Sequence, residues 1–205
     1  MNKLHKSILI ALVLGDGYLN VRKDARYPNS YHSSINFTHS FAQKEYLEWK
    51  ANKLFHIFGG KQPVIREINN NGHPGVTFEK SNKYFRILKK YLYVNQKKSF
   101  RRDILNWLTP EGIAIWWMDD GSLIERKRNG KTHAWELYLN TYLTDEENQI
   151  IIDYFLEQWN VKWNINHDKG KSRLRCSTRE GRKFLNIVRP TVEKIECMKY
   201  KVKNI

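Results

Sequence analysis

One plan occurs twice in this chain: an apolar run breaks off at Asp-Gly and is followed by one residue and a leucine. Residues 8–19 read ILIALVLGDGYL and residues 112–123 read GIAIWWMDDGSL. Asp16 and Asp120 stand 104 positions apart in a chain of 205. A repeat at half-length implies two copies of one supersecondary unit, so every further element is to be sought in duplicate. Thr109-Pro110, an N-cap followed by proline at the first helical position, precedes the second run. Each run therefore reads as a short buried helix that carries an aspartate out of its C-terminal end. The helix dipole is negative there, so a carboxylate needs a positive partner, and a divalent cation is the first candidate.

The remaining elements fall into the same order in both halves. Tyr18–Lys23 alternates as a strand, Asp24–Tyr31 supplies turn residues including Pro28 and Asn29, and Ser33–Thr38 is the next strand. Ser40 with Gln43 has capping-box spacing ahead of a helix that ends at Gly59-Gly60. Strands over Gln62–Ile68 and Val76–Glu79 and a helix capped by Ser81 complete the half. The second half gives a hairpin around Asn129-Gly130, a capping box at Thr144 and Glu147, strands over Val161–Asn166 and Arg173–Ser177, and a helix from Thr178 that stops before Pro190. The expected class is α+β: two pseudo-symmetric αββαββα repeats, residues 1–94 and 110–205, joined by a basic linker, 95–109. Its antiparallel sheets would form a saddle, with the two motif helices packed centrally against each other. Ala11, Gly15, Gly112 and Ala114 would permit their close approach.

Lys and Arg total 36 against 21 acids, a net charge of +15, and such an excess is suited to a polyanionic partner. Seven Trp and eleven Tyr argue against a disordered basic tail. Two cysteines without a paired spacing, Cys176 and Cys197, suggest a reducing compartment. No apolar run is long enough for a membrane span and no leader is legible, so no membrane partner is expected. The expected location is intracellular: mitochondrial or other organellar, or bacterial or phage cytoplasm.

The strand faces carry the partner chemistry. One face is apolar, including Leu137, Leu139, Trp163, Ile165, Leu174 and Cys176. The other presents Asn20, Arg22, Asn36, Arg66, Arg126, Tyr138, Asn140, Lys162, Asn164, Arg173 and Arg175. A β-ribbon fits the major groove of a duplex, where Arg and Asn read base edges, so this face is the expected double-stranded DNA interface. Helices packed about a two-fold axis would bring Asp16 and Asp120 together. All-oxygen ligands and a phosphate substrate favour Mg²⁺, with Mn²⁺ able to substitute, and phosphodiester hydrolysis as the reaction. The seven histidines show no zinc-ligand spacing with the cysteines, and no glycine-rich phosphate loop occurs.

Leu9–Gly17 and Ile113–Gly121 align without gaps with the nine-residue signature of LAGLIDADG homing endonucleases, and the chain resembles their single-chain, two-motif form over nearly its whole length. YVNQKKSF, LTPEGIAIWWMDDGSL and LNTYLT belong to the same resemblance. It implies a monomer that makes a metal-dependent double-strand break, with short 3′ overhangs, in a long asymmetric DNA target. It places the metal-binding acids at Asp16 and Asp120, with main-chain carbonyls from Gly15 and Asp119, and it places site lysines at Lys98 and Lys201. Trp116 and Trp117 are bulkier than the motif's usual central residues, and Asp119 has no acidic counterpart at Gly15. Two other uses of the fold stay open: an intron maturase that binds intron RNA, and a transcription regulator that binds without cutting. Both acids and both lysines are present, which favours the nuclease.

Overall fold

The computed structural model describes every residue except Arg26, Pro28 and Asn29, together with the side chain of Asn70. The turn expected at Pro28-Asn29 therefore lies outside the described residues. Contacts divide the chain into two compact units: residues 12–99 with 195–197, and residues 1–11 with 100–194 and 198–205.

The first repeat runs α1 (Lys3–Leu14), β1 (Tyr18–Lys23), β2 (Tyr31–Ser40), α2 (Lys44–Phe58), β3 (Arg66–Asn70), β4 (His73–Ser81) and α3 (Tyr84–Leu92). A small hairpin, β5 (Tyr93–Val94) with β6 (Lys97–Lys98), and a short helix, α4 (Arg102–Leu105), occupy the stretch between the repeats. The second repeat runs α5 (Pro110–Asp120), β7 (Gly121–Arg128), β8 (Lys131–Leu139), α6 (Asp145–Trp159), β9 (Asn164–Asp168), β10 (Lys171–Cys176) and α7 (Thr178–Val192), before a 3₁₀ turn at Glu196–Val202. The expected αββαββα order is present in both halves. Each sheet is antiparallel with the same strand order, β1-β2-β4-β3 and β7-β8-β10-β9. The register corresponds too: Leu19 pairs with Ile35 as Leu123 pairs with Leu137.

In the unit of residues 12–99, Leu19, Ile35, Phe37, Val76 and Phe78 line the helix-facing side of the sheet and are buried with Leu47, Ala51, Leu54, Phe85 and Leu88. The other unit has an aromatic core. Trp117 and Trp163 each meet Phe184 edge-on at 5.1 Å between ring centroids, and Trp116 stacks on Phe155 at 6.2 Å. The two bulky motif residues thus fill the core beneath their own sheet. Close approach of α1 to α5 depends instead on Gly112. A methyl group there would stand 2.2 Å from Ser7 Oγ. That oxygen also accepts the Thr109 backbone N–H at 2.8 Å. Thr109 and Pro110 take the expected N-cap and first-turn positions.

Several local expectations are corrected. Thr144 and Glu147 form a complete capping box, but Ser40 makes no side-chain cap. A 3₁₀ turn at Phe41–Gln43 intervenes, and Gln43 lies against His39, Nδ1 to Oε1 3.2 Å. Asn82, rather than Ser81, accepts the first N–H of α3 (Tyr84 N to Oδ1, 2.9 Å). β3 begins at Arg66 and β9 at Asn164, both later than expected. Helix α7 continues through Pro190 to Val192, where the missing N–H falls within the last turn. Among the described residues, no helix is long and apolar enough to cross a membrane.

Candidate nuclease site and nucleic-acid face

Both motif helices end in the same way. After α1 the chain turns at Gly15-Asp16-Gly17, and the Gly17 N–H donates to Leu12 O at 2.8 Å. A methyl group on Gly17 would fall 2.3 Å from that oxygen, and one on Gly121 would fall 2.1 Å from the Trp117 ring. The glycine after each aspartate is therefore required by contact with its own helix end, and this requirement fixes where the carboxylate leaves.

A lysine answers the negative end of each helix. Lys98, on β6, donates through Nζ to the Gly15 carbonyl. Lys201, only 6% exposed, donates to the Met118 carbonyl and lies 3.5 Å from those of Trp117 and Asp119. The positive partner demanded by the dipole argument is supplied here by side chains, one at each helix end. Each ammonium stands on the main chain immediately before the aspartate, so Lys98 is brought to Gly15 and Lys201 to Asp119. A carbonyl oxygen has two lone pairs, and accepting from lysine leaves one for a cation.

The two carboxylates are held differently. Asp16 is exposed, with His39 Nδ1 at 3.8 Å and the fully buried Lys50 Nζ at 4.0 Å from its Oδ2. Asp120 accepts from Trp116 Nε1 at 3.0 Å, one turn back on its own helix. Asn140 donates its side-chain amide and its backbone N–H to Asp120 O, at 2.8 and 3.0 Å. Asn140, expected on the nucleic-acid face, thus secures the end of α5. The sequence reading did not single out His39 or Lys50. Lysine at a buried helix position carries no pattern signal, and a lone histidine reads as core or surface.

The outer faces of the sheets can be compared with the residues expected there. Asn20, Arg22, Asn36 and Arg66 are exposed or half-buried on theirs, and Arg22 and Arg66 line one groove with Lys61 and Lys80. On the second sheet Tyr138 is 2% exposed, a correction to its expected exposure. It sits on the outer face but under the Arg173 guanidinium, 4.1 Å above its ring. Arg173 also donates to Asn166 Oδ1 at 3.1 Å, beside Asn164 and Arg175 on the same face. Lys162 precedes β9 and is not a strand residue; its backbone N–H donates to Glu180 at 3.0 Å.

Glu136, also missed by the sequence reading, organises this face. It accepts from Arg126 Nε at 2.6 Å, Arg175 Nε at 2.9 Å and the Tyr138 hydroxyl at 2.8 Å. Burial works to raise its pKa, but these hydrogen bonds and the adjacent guanidinium outweigh it and hold the carboxyl at about 2. Two of the expected DNA-contacting arginines are therefore paired and pre-oriented. Burial pushes the Cys176 thiol up to about 12, which makes it inert as a nucleophile.

Comparison with known proteins agrees with this geometry. The probable intron-encoded endonuclease 1 of Wickerhamomyces canadensis is 27% identical over 98% of this chain and 85% of its own length. The homing endonuclease I-WcaI, solved bound to its DNA recognition sequence, superposes with a TM-score of 0.76 at 27% identity, covering 100% of this chain and 88% of that one. I-DmoI, solved with DNA and Mn, matches at a TM-score of 0.54 and 16% identity over 91% of this chain and 96% of that one; this likeness concerns the fold. A model of the LAGLIDADG DNA endonuclease family matches residues 6–184. With two Asp-Gly helix ends, two identically ordered sheets and a family match over most of its length, this chain belongs to the LAGLIDADG DNA endonuclease family.

Proposed function

We propose that the chain is a site-specific DNA endonuclease that hydrolyses both strands of a long, asymmetric duplex target as a monomer, leaving short 3′ overhangs. The carrying observation is the duplicated helix end: an aspartate at the tip, a glycine that fixes its direction, and a lysine seated on the preceding carbonyls. Oxygen donors at the negative end of a helix suit a hard divalent cation. Mg²⁺, or Mn²⁺ in its place, would be held at the helix ends, by the carboxylate of Asp16 with the Gly15 main-chain oxygen in one unit and by that of Asp120 with the Asp119 main-chain oxygen in the other, each end serving one strand. Bound there, it supplies Lewis-acid polarisation of the scissile phosphate and an activated water.

The chain's own residues do the rest. Lys98 is fixed by the Gly15 carbonyl just past α1 and Lys201 by the Met118 carbonyl of α5, so each presents an ammonium of defined position to charge developing on the phosphate oxygens. Arg22 and Arg66 in one repeat, and Arg126, Arg173 and Arg175 in the other, bind duplex phosphates and base edges. The outward residues differ between the repeats, so an asymmetric target follows.

The test is to incubate the protein with a randomised duplex library and Mg²⁺ and to sequence the broken ends. The expected result is one enriched, non-palindromic site cut on both strands. Breaks without an enriched site, or none at all, would contradict the assignment.

A further inference from the structure

Lys50 is fully buried, although its helix, α2, has a solvent face available to a lysine. Its Nζ is 3.1 Å from His39 Nε2 and 4.0 Å from Asp16 Oδ2. The Tyr46 and Phe37 rings lie beneath it, at 4.4 and 5.1 Å from Nζ to centroid. Burying an ammonium is expensive unless it is paired, and aromatic faces with an imidazole acceptor and a carboxylate offset the cost. An ammonium can only donate, so His39 Nε2 must be bare and the ring proton must sit on Nδ1. Nδ1 faces Gln43 Oε1 at 3.2 Å and Asp16 Oδ2 at 3.8 Å. In this tautomer His39 presents a donor towards the aspartate and cannot serve as a metal ligand through that nitrogen.

The second repeat is built otherwise. The matching register, Leu19–Ile35 with Leu123–Leu137, makes Thr141 the counterpart of His39. Thr141 donates to Oδ1 of the buried Asn148 at 2.6 Å, a neutral pair. Asp120 is steadied by Trp116 instead.

We propose that Lys50 is a positioning residue. Acting through the His39 tautomer, it orients Asp16, so cleavage of the strand served by the first repeat depends on a lysine–histidine pair whose counterpart position in the second repeat holds the neutral Thr141–Asn148 pair. This rests on the endonuclease reading above, and the test separates the two. Lys50→Met removes the charge at nearly constant volume; taking one partner out of a buried pair costs stability, so His39→Gln is carried beside it and both are assayed at a temperature where circular dichroism shows them folded. The first readout is ¹⁵N-histidine NMR of metal-free protein. Wild type should show His39 protonated at Nδ1, and Lys50→Met should shift the proton to Nε2 or leave both tautomers populated. An unchanged tautomer overturns the proposal.

The second readout is strand-resolved nicking of the selected target. In Lys50→Met one strand should slow by about 10- to 100-fold, as when a partner that orients a ligand is removed; the other strand and DNA binding should be unchanged. His39→Gln, which keeps an amide donor, should retain part of that strand's rate. Equal slowing of both strands, or no slowing, overturns the positioning role. Failure of wild type to cut at all overturns the endonuclease reading and the strand dependence with it, while the NMR result still judges the Lys50–His39 pair.

Discussion

Gly112 has no room for even one added methyl, since Ser7 Oγ and the backbone oxygen of Ser7 stand 2.2 and 3.2 Å from where it would be. Gly112→Ala should therefore destabilise the protein by roughly 1–3 kcal/mol, the usual cost of overpacking a close contact. A thermal melt that falls by several degrees is the expected outcome, and an unchanged melt would mean that α1 can move away. Glu136 makes a different prediction. Its pKa falls from 4.5 unfolded to about 2 folded, so its contribution to stability is complete above pH 4.5 and lost as pH falls through 2. Glu136→Gln should flatten the loss of stability across that window. The same change releases Arg126 and Arg175, and the salt slope for non-target duplex should steepen by roughly one per freed cation. An unaltered slope would show that those arginines already contact phosphate while paired. Glu136 escaped the sequence reading because a carboxylate on an alternating strand looks like ordinary solvated charge. Its three partners come from β7, β8 and β10, and only the assembled sheet brings them together.

At the scale of elements, the two capping-box signatures look alike in sequence and part company in the fold. Thr144 closes its box with Glu147, whereas Gln43 turns to His39 and Ser40 is left outside a 3₁₀ turn. Thr144→Ala should cost about 1 kcal/mol and Ser40→Ala only a few tenths, measured by denaturant unfolding. Equal losses would contradict this difference. The order of elements was legible because apolar periodicity switches cleanly between helix and strand at each boundary. The edges were less so: β9 starts three residues later than the alternation from Val161 suggests, and α7 passes through Pro190. Tertiary contacts decide such edges, and a single sequence does not display them. The same limit hid Lys50, whose aromatic cage comes from β2 and α2 together.

For the whole molecule, a charge of +15 over 205 residues should make duplex binding strongly dependent on salt. If about ten phosphates are engaged, log K should fall against log salt with a slope near −9, and a slope near zero would contradict a duplex-binding face. The duplication itself was readable, since Asp16 and Asp120 recur at half-length and the sheets repeat one strand order. The differing supports of the two aspartates were not, because they rest on side chains outside the motifs. Metal-dependent chemistry at both aspartates is the central claim. Its most direct test measures cutting and binding of the selected target by wild type, Asp16→Asn and Asp120→Asn, with Mg²⁺ and with chelator. The expected result is that each variant binds the duplex as wild type does and loses cutting by at least about 10²-fold, with wild type silent in chelator. Full cutting by either variant, or by wild type without a divalent ion, would contradict it.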